Sequence, residues 1–164
     1  MKKQPNQALQ TLINLRIAKD KAKGSNLLYS YIKTPNYDDS TSSGLTASII
    51  DYLNLIDGCH AERISNEGRT IDTRKMTTNV VGQVRQIGSI KRIKSSMQLG
   101  TADISATILG RSVKIEVKIG NDRQSLDQKE YQRQIENAKG YYVIAKDFEG
   151  FYNWFTSKFK RANE

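Results

Sequence analysis

The sequence predicts an α/β domain in which a central mixed sheet is flanked by helices. Three observations lead there. Residues 102–119 alternate apolar and polar side chains with the period of two of half-buried strands, interrupted by a glycine-bearing turn at 109–112. Residues 45–57, 125–138 and 148–159 instead repeat apolar side chains at intervals of three and four, the period of a helix. The two kinds of segment interleave as helix, strand, hairpin, helix, strand, helix, an order that packs helices against a sheet.

The chain opens with Ala8, Leu12, Leu15 and Ala18–Lys19, spaced for a helix of modest amphipathicity. Lys19, Lys21 and Lys23 lie toward its C-terminal end, where cations suit the dipole, and Gly24 is placed to stop it. Residues 34–44 are turn-rich and polar and read as a linker. Residues 1–43 are therefore expected to be an N-terminal helical or flexible extension to a main domain at 44–164. Three roles stay open for it: clamping nucleic acid, packing on a partner subunit, or serving as a partly ordered terminus.

In the main domain, Leu45, Ile49, Leu53 and Ile56 form a helical stripe that Gly58 ends, and residues 59–66 follow as a strand of weak alternation. Within 69–100, Val80-Val-Gly-Gln-Val is the one strand expected. Arg85, Lys91, Arg92 and Lys94 form a basic stretch nearby, either a set of backbone-phosphate contacts or a solvated loop. After the hairpin, Gly120-Asn-Asp is a turn, Ser125 to Ala138 is helical with Gly140 as its cap, and residues 141–145 read as a buried strand. Phe148, Phe151, Phe155 and Phe159 close the chain as a helix whose aromatic stripe is core rather than a base-stacking platform.

The hairpin carries the candidate chemistry. A turn centred on Gly110-Arg111 pairs Ile108 with Val113, Ser105 with Glu116 and Asp103 with Lys118. Asp103 and Glu116 then become diagonal neighbours on the polar face, roughly 7–8 Å apart at the backbone. Two carboxylates suit a hard divalent cation such as Mg2+ or Mn2+, and the carbonyl of Val117 is a further candidate ligand. Such an ion neutralises a phosphodiester and acidifies a bound water, while Lys118 is a compact cation for the phosphate. The bland reading is a solvated sheet face with cross-strand charge pairs, common for so short a motif.

The remaining composition narrows the classes. The chain has 164 residues, 26 Lys and Arg against 17 Asp and Glu, and a formal charge of +9, an electrostatic footprint for nucleic acid. One cysteine, Cys59, rules out an internal disulfide framework, and a single histidine, His60, leaves histidine-based triads and paired-histidine metal sites little to build on. Both residues read as ordinary packing at a helix-to-strand corner. No run is long enough to span a bilayer, and Gln4-Pro-Asn-Gln stands after Met1-Lys-Lys where a signal peptide needs an apolar stretch, so a cytoplasmic protein is expected.

Asp103-x12-Glu116-x-Lys118 resembles the active-site hairpin of the PD-(D/E)XK nuclease superfamily, with Ala102 where that motif usually has proline. Gly100-Thr-Ala-Asp-Ile, Ile115-Glu-Val-Lys-Ile-Gly and Arg123-Gln-Ser-Leu-Asp-Gln-Lys-Glu-Tyr131 are similar to the VRR-NUC branch and its phage and bacterial relatives. The likeness is strong over 100–131 and loose over the rest of 44–155. It implies a restriction-endonuclease-like core and a metal-dependent endonuclease acting on DNA, in a bacterial or phage-infected cell. Asp103 and Glu116 would hold the metal, Lys118 would be the catalytic lysine, Gln128 would sit near the metal, and Arg123 and Tyr131 would lie along the DNA.

The branch commonly carries an acid on its first helix. Here Asp51 falls opposite the apolar stripe, toward solvent, and Glu62 on the next strand is the second candidate. Ser125-Leu-Asp-Gln128 also fits a capping box, so Gln128 has a structural role to weigh against the catalytic one. Two alternatives accompany the endonuclease: a Holliday-junction resolvase, which requires a homodimer presenting two sites, and a non-catalytic DNA-binding module that keeps the fold.

Overall fold

The computed structural model describes residues 6–23, 34–64, 68–93 and 98–159. Gly24 and Lys94 lie outside the described residues. The chain divides into two compact units, residues 1–64 with 99–164, and residues 65–98. The boundary expected at 43/44 falls inside the first of these.

The larger unit contains helices α1 (Gln7–Lys23) and α2 (Ser42–Leu55), strand β1 (Cys59–Arg63), and, beyond the smaller unit, β6 (Ile104–Ile108), β7 (Arg111–Val117), α3 (Leu126–Asn137), β8 (Tyr141–Ala145) and α4 (Phe148–Phe159). Its sheet is mixed, in the order β1-β6-β7-β8: the first two pairings are antiparallel, and β7 and β8 run parallel with α3 as the crossover. Asn54 at the end of α2 holds the β1 edge, its Nδ2 donating to the Ala61 carbonyl at 3.0 Å and its Oδ1 accepting the Ala61 N–H at 2.8 Å.

Alternation sorts the sheet. Ala61, Ile104, Ala106, Ile108, Val113, Ile115 and Val117 form one buried face, closed by α2, α4 and α1. Tyr52 of α2 meets Phe148, Phe151 and Phe155 of α4 edge-on at 5.4–6.4 Å, so the aromatic stripe is core. Helix α1 joins that core through Ala8, Leu9 and Leu12, whereas Leu15, assigned to the stripe from spacing, is exposed. Polar neighbours dilute the apolar period of α1, which is why it reads as an appendage in sequence. Leu12→Ala is expected to destabilise the protein by about 2–5 kcal/mol in urea unfolding; an unchanged midpoint would mean that α1 is dispensable to the core.

The hairpin register differs by two residues from the expected one. Ile108 pairs with Arg111, Ala106 with Val113 and Ile104 with Ile115. The connection is a two-residue turn, Leu109 (φ 47°) and Gly110 (φ 78°), both left-handed as a type I′ hairpin turn demands. A shift of two preserves which residues share a face, but it sets Asp103 opposite Glu116 instead of diagonal to it. Three smaller differences accompany this. Helix α2 stops at Leu55, before Gly58. The left-handed residue after α3 is Lys139, not Gly140. Strand β8 is an edge strand that leaves Ile144 partly exposed, rather than a buried one.

The smaller unit is a two-stranded ribbon. Strands β2 (Arg69–Asp72) and β5 (Ile90–Ile93) pair antiparallel, as do β3 (Lys75–Thr78) and β4 (Val84–Ile87). The residues read as a strand from Val80 instead form the turn before β4. No helix among the described residues is long and apolar enough to cross a membrane.

Candidate active site

On the sheet face away from the α2–α4 core, the alternation of β7 presents Lys114 and Glu116, with Lys118 following in phase just beyond the strand. Asp103 sits just before β6. Its backbone carbonyl accepts the Ile64 N–H at 2.8 Å, which ties it to the end of β1. Its Oδ2 accepts the Val117 N–H at 2.9 Å, and its Oδ1 takes no hydrogen bond among the described residues. In a strand the N–H and C=O of one residue point to the same side, so the Val117 carbonyl shares the edge that Asp103 occupies.

Glu116 is 1% exposed and Lys118 8%. A solvated sheet face would leave both in water; of the three groups only Asp103 keeps partial access. Lys118 Nζ lies 3.1 Å from Glu116 Oε1 and 3.2 Å from Asp122 Oδ2. The turn at Gly120, whose φ is +59°, brings Asp122 back under the lysine, and the Asp122 N–H reaches the Ile119 carbonyl at 3.2 Å. Tyr142 of β8 sets its hydroxyl 3.5 Å from Glu116 Oε2.

Gln128 completes the capping box and also reaches Glu116. Its backbone N–H donates to Ser125 Oγ at 3.2 Å and its Oε1 accepts the Ser125 N–H at 2.9 Å, completing the capping box. Its Nε2 donates to Glu116 Oε1. The cap thus orients the amide that the carboxylate receives. Ser125→Ala is expected to cost about 1 kcal/mol of stability, the usual loss of a cap. Gln128→Ala removes the Glu116 contact as well, and should alter any property that depends on that carboxylate more than Ser125→Ala does, as seen by comparing thermal melts with metal binding.

Charge and burial work against each other here. Burial pushes the Glu116 carboxyl above its ordinary range and the charge of Asp103 pushes it further, while Lys118 and the Tyr142 hydroxyl oppose the rise. Burial works to lower the Lys118 ammonium, but its bonds to Glu116 and Asp122 outweigh that and leave it raised. The Tyr142 hydroxyl is raised by burial and then by the charge of Glu116.

The donor set is all oxygen: two carboxylates from facing positions, one oxygen of Asp103 unengaged among the described residues, and a neighbouring carbonyl. That set fits a hard divalent cation, which would offset the burial that raises Glu116 and the Asp103 charge that adds to it. Among the described residues no three Asp, Glu, His or Cys gather in one place that could hold a metal.

The other candidates are placed as follows. Glu62 is exposed and pairs with Ser105, which puts it on the same face as Asp103, one row away. Asp51 does not face solvent freely; it accepts from Arg16 at 2.9 Å and from the Tyr37 hydroxyl, on the far side of α2. A cleft of about 410 Å3 beside that cluster, lined by Tyr37, Thr46, Ile50 and Arg63 among others, contains none of Asp103, Glu116, Lys118 and Gln128. Tyr131 is 8% exposed and packs edge-on against Tyr142 at 6.3 Å, so its ring supports the site from beneath α3 rather than lining an open groove. Arg123 is exposed. Arg85, Lys91 and Arg92 belong to the smaller unit and are exposed there. Tyr142 and Asp122 were missed from the sequence; Asp122 follows a glycine turn at i+4 from Lys118, a signal available in principle, whereas nothing local marks Tyr142.

No protein-family model and no curated protein matches this sequence.

Proposed function

We propose that the chain is a metal-dependent endonuclease that hydrolyses phosphodiester bonds in DNA, built on a restriction-endonuclease-like core of the VRR-NUC kind. The observation that carries the reading is the burial of Glu116 against Lys118, directly across from Asp103. A carboxylate kept out of water beside a second carboxylate is costly, and a sheet surface with no task has no reason to hold one.

In this reading Asp103, Glu116 and the Val117 carbonyl hold one Mg2+ or Mn2+. The ion, when bound, supplies neutralisation of the phosphate charge and a lowered pKa for water. Lys118 has two of its three N–H donors on Glu116 and Asp122, and offers the third to a non-bridging phosphate oxygen, where negative charge grows as the attacking oxygen bonds to phosphorus. Gln128 and Tyr142 keep the Glu116 oxygens oriented, so little reorganisation is needed during the reaction. Water adds to phosphorus, the ester P–O bond breaks, and the products are a phosphate monoester and a hydroxyl.

Incubation of supercoiled plasmid with the full chain tests this. Nicked and linear products are expected with Mg2+ or Mn2+ and none with chelator. Salt-sensitive plasmid binding with no metal-dependent cutting would overturn the reading in favour of a non-catalytic binding module.

A further inference from the structure

The smaller unit carries chemistry that the hydrolytic site does not use. Residues 65–98 hold seven cations and two acids, a net +5 out of the chain's +9. The two ladders keep one register, Arg69 with Ile93 through Thr78 with Val84, and Thr73 bridges them by donating its N–H to the Ser89 carbonyl at 3.1 Å. The ten residues from Arg69 to Thr78 therefore extend roughly 30 Å at about 3.3 Å each.

In the β3–β4 ladder Lys75 pairs with Ile87 and Arg85 with Thr77, so both cations stand on one face, with no acid on it. Ile87, the partner of Lys75, shares that face and is 47% exposed, while Met76 and Val84 take the opposite face and are 67% and 64% exposed. The one ion pair of the ribbon among the described residues is Arg74 with Asp72 at 2.6 Å; Lys75, Arg85, Lys91 and Arg92 have no carboxylate partner among them. A bare two-stranded ribbon is only marginally stable in water. Exposed apolar side chains beside unneutralised cations call for a polyanion that offers apolar contacts too.

We infer that this ribbon is a duplex-DNA-binding arm whose Lys75 and Arg85 face contacts backbone phosphates from within the major groove. That groove is about 12 Å wide and admits a two-stranded ribbon, and thymine methyl groups line it. The major groove of A-form RNA is too deep and narrow for such an element, so the substrate class is B-form DNA rather than double-stranded RNA. The inference rests on the reading that the chain acts on DNA, but its test does not use cleavage.

Binding of a 20-base-pair DNA duplex and of the same sequence as RNA is to be measured by fluorescence anisotropy against salt, with chelator present. Wild-type protein should prefer the DNA. Lys75→Ala/Arg85→Ala should weaken DNA binding about tenfold or more and lower the salt slope by about two, and each single substitution should lower it by about one. Lys75→Arg should retain wild-type binding, which separates lost charge from lost folding. Undiminished DNA binding by the double variant overturns the arm, whether or not wild type cuts plasmid. Weakened binding beside a wild-type protein that never cuts leaves the arm standing and overturns the nuclease. Equal affinity for the RNA duplex overturns the groove assignment. A dimer that becomes a monomer in the double variant, with DNA binding unchanged, makes the ribbon a subunit contact instead.

Discussion

Glu116→Gln is expected to abolish plasmid cleavage, by about a thousandfold or more, while circular dichroism and the cooperative melt stay close to wild type. The amide is isosteric, so Lys118 keeps Asp122, and Tyr142 and Gln128 keep a polar neighbour; what is lost is the carboxylate charge that faces Lys118 and, in the proposed function, would gather the cation. Lys118→Met should be nearly as severe, because the developing phosphorane charge loses its nearest cation. Cleavage at a normal rate by either variant would place the chemistry elsewhere.

Gly100→Ala is expected to damage the scaffold directly beside the site. Gly100 has φ +76°, and a Cβ there would lie 2.3 Å from the Asp127 carbonyl carbon and oxygen and 2.6 Å from the Gln128 nitrogen. Left-handed backbone costs an L-residue about 1–2 kcal/mol, and overpacking of this kind adds about 1–3 kcal/mol. The atoms in the way are backbone at the N-terminus of α3, so relief requires that turn to move and to carry Gln128 away from Glu116. A melting temperature lowered by roughly 10 °C, with cleavage lowered beyond what the unfolded fraction explains, is the expected outcome. A fully active variant with an unchanged melt would show that α3 does not set the position of Gln128.

The legible and illegible parts of this chain divide by how local their causes are. Strand alternation at 102–119, the Phe148-to-Phe159 stripe and the Ser125–Gln128 box depend on neighbours a few residues apart, and each stands in the structure as its spacing implies. The hairpin register depends on Leu109 accepting a left-handed conformation, an unusual choice for leucine, and a four-residue connection with arginine inside it is the more conventional expectation. Helix α1 joins the core through Leu9 and Leu12 because distant α4 offers it a surface. The ribbon at 69–93 consists of four-residue strands whose apolar side chains are mostly exposed, so no buried face imposes a period on its sequence. At the site, Asp103, Glu116 and Lys118 are marked by their spacing along one hairpin. The burial of Glu116 comes from Gln128 and Tyr142, which arrive by way of the α3 crossover, and no local pattern announces it.

Titration of the full chain with Mn2+, followed by electron paramagnetic resonance in the absence of DNA, tests the coupling of Asp103 to Glu116 most directly. One bound ion per chain is expected in wild type, lost in both Asp103→Asn and Glu116→Gln and retained in Lys118→Met. Equal Mn2+ uptake by all four proteins, or none by wild type, would contradict a cation held between those two carboxylates.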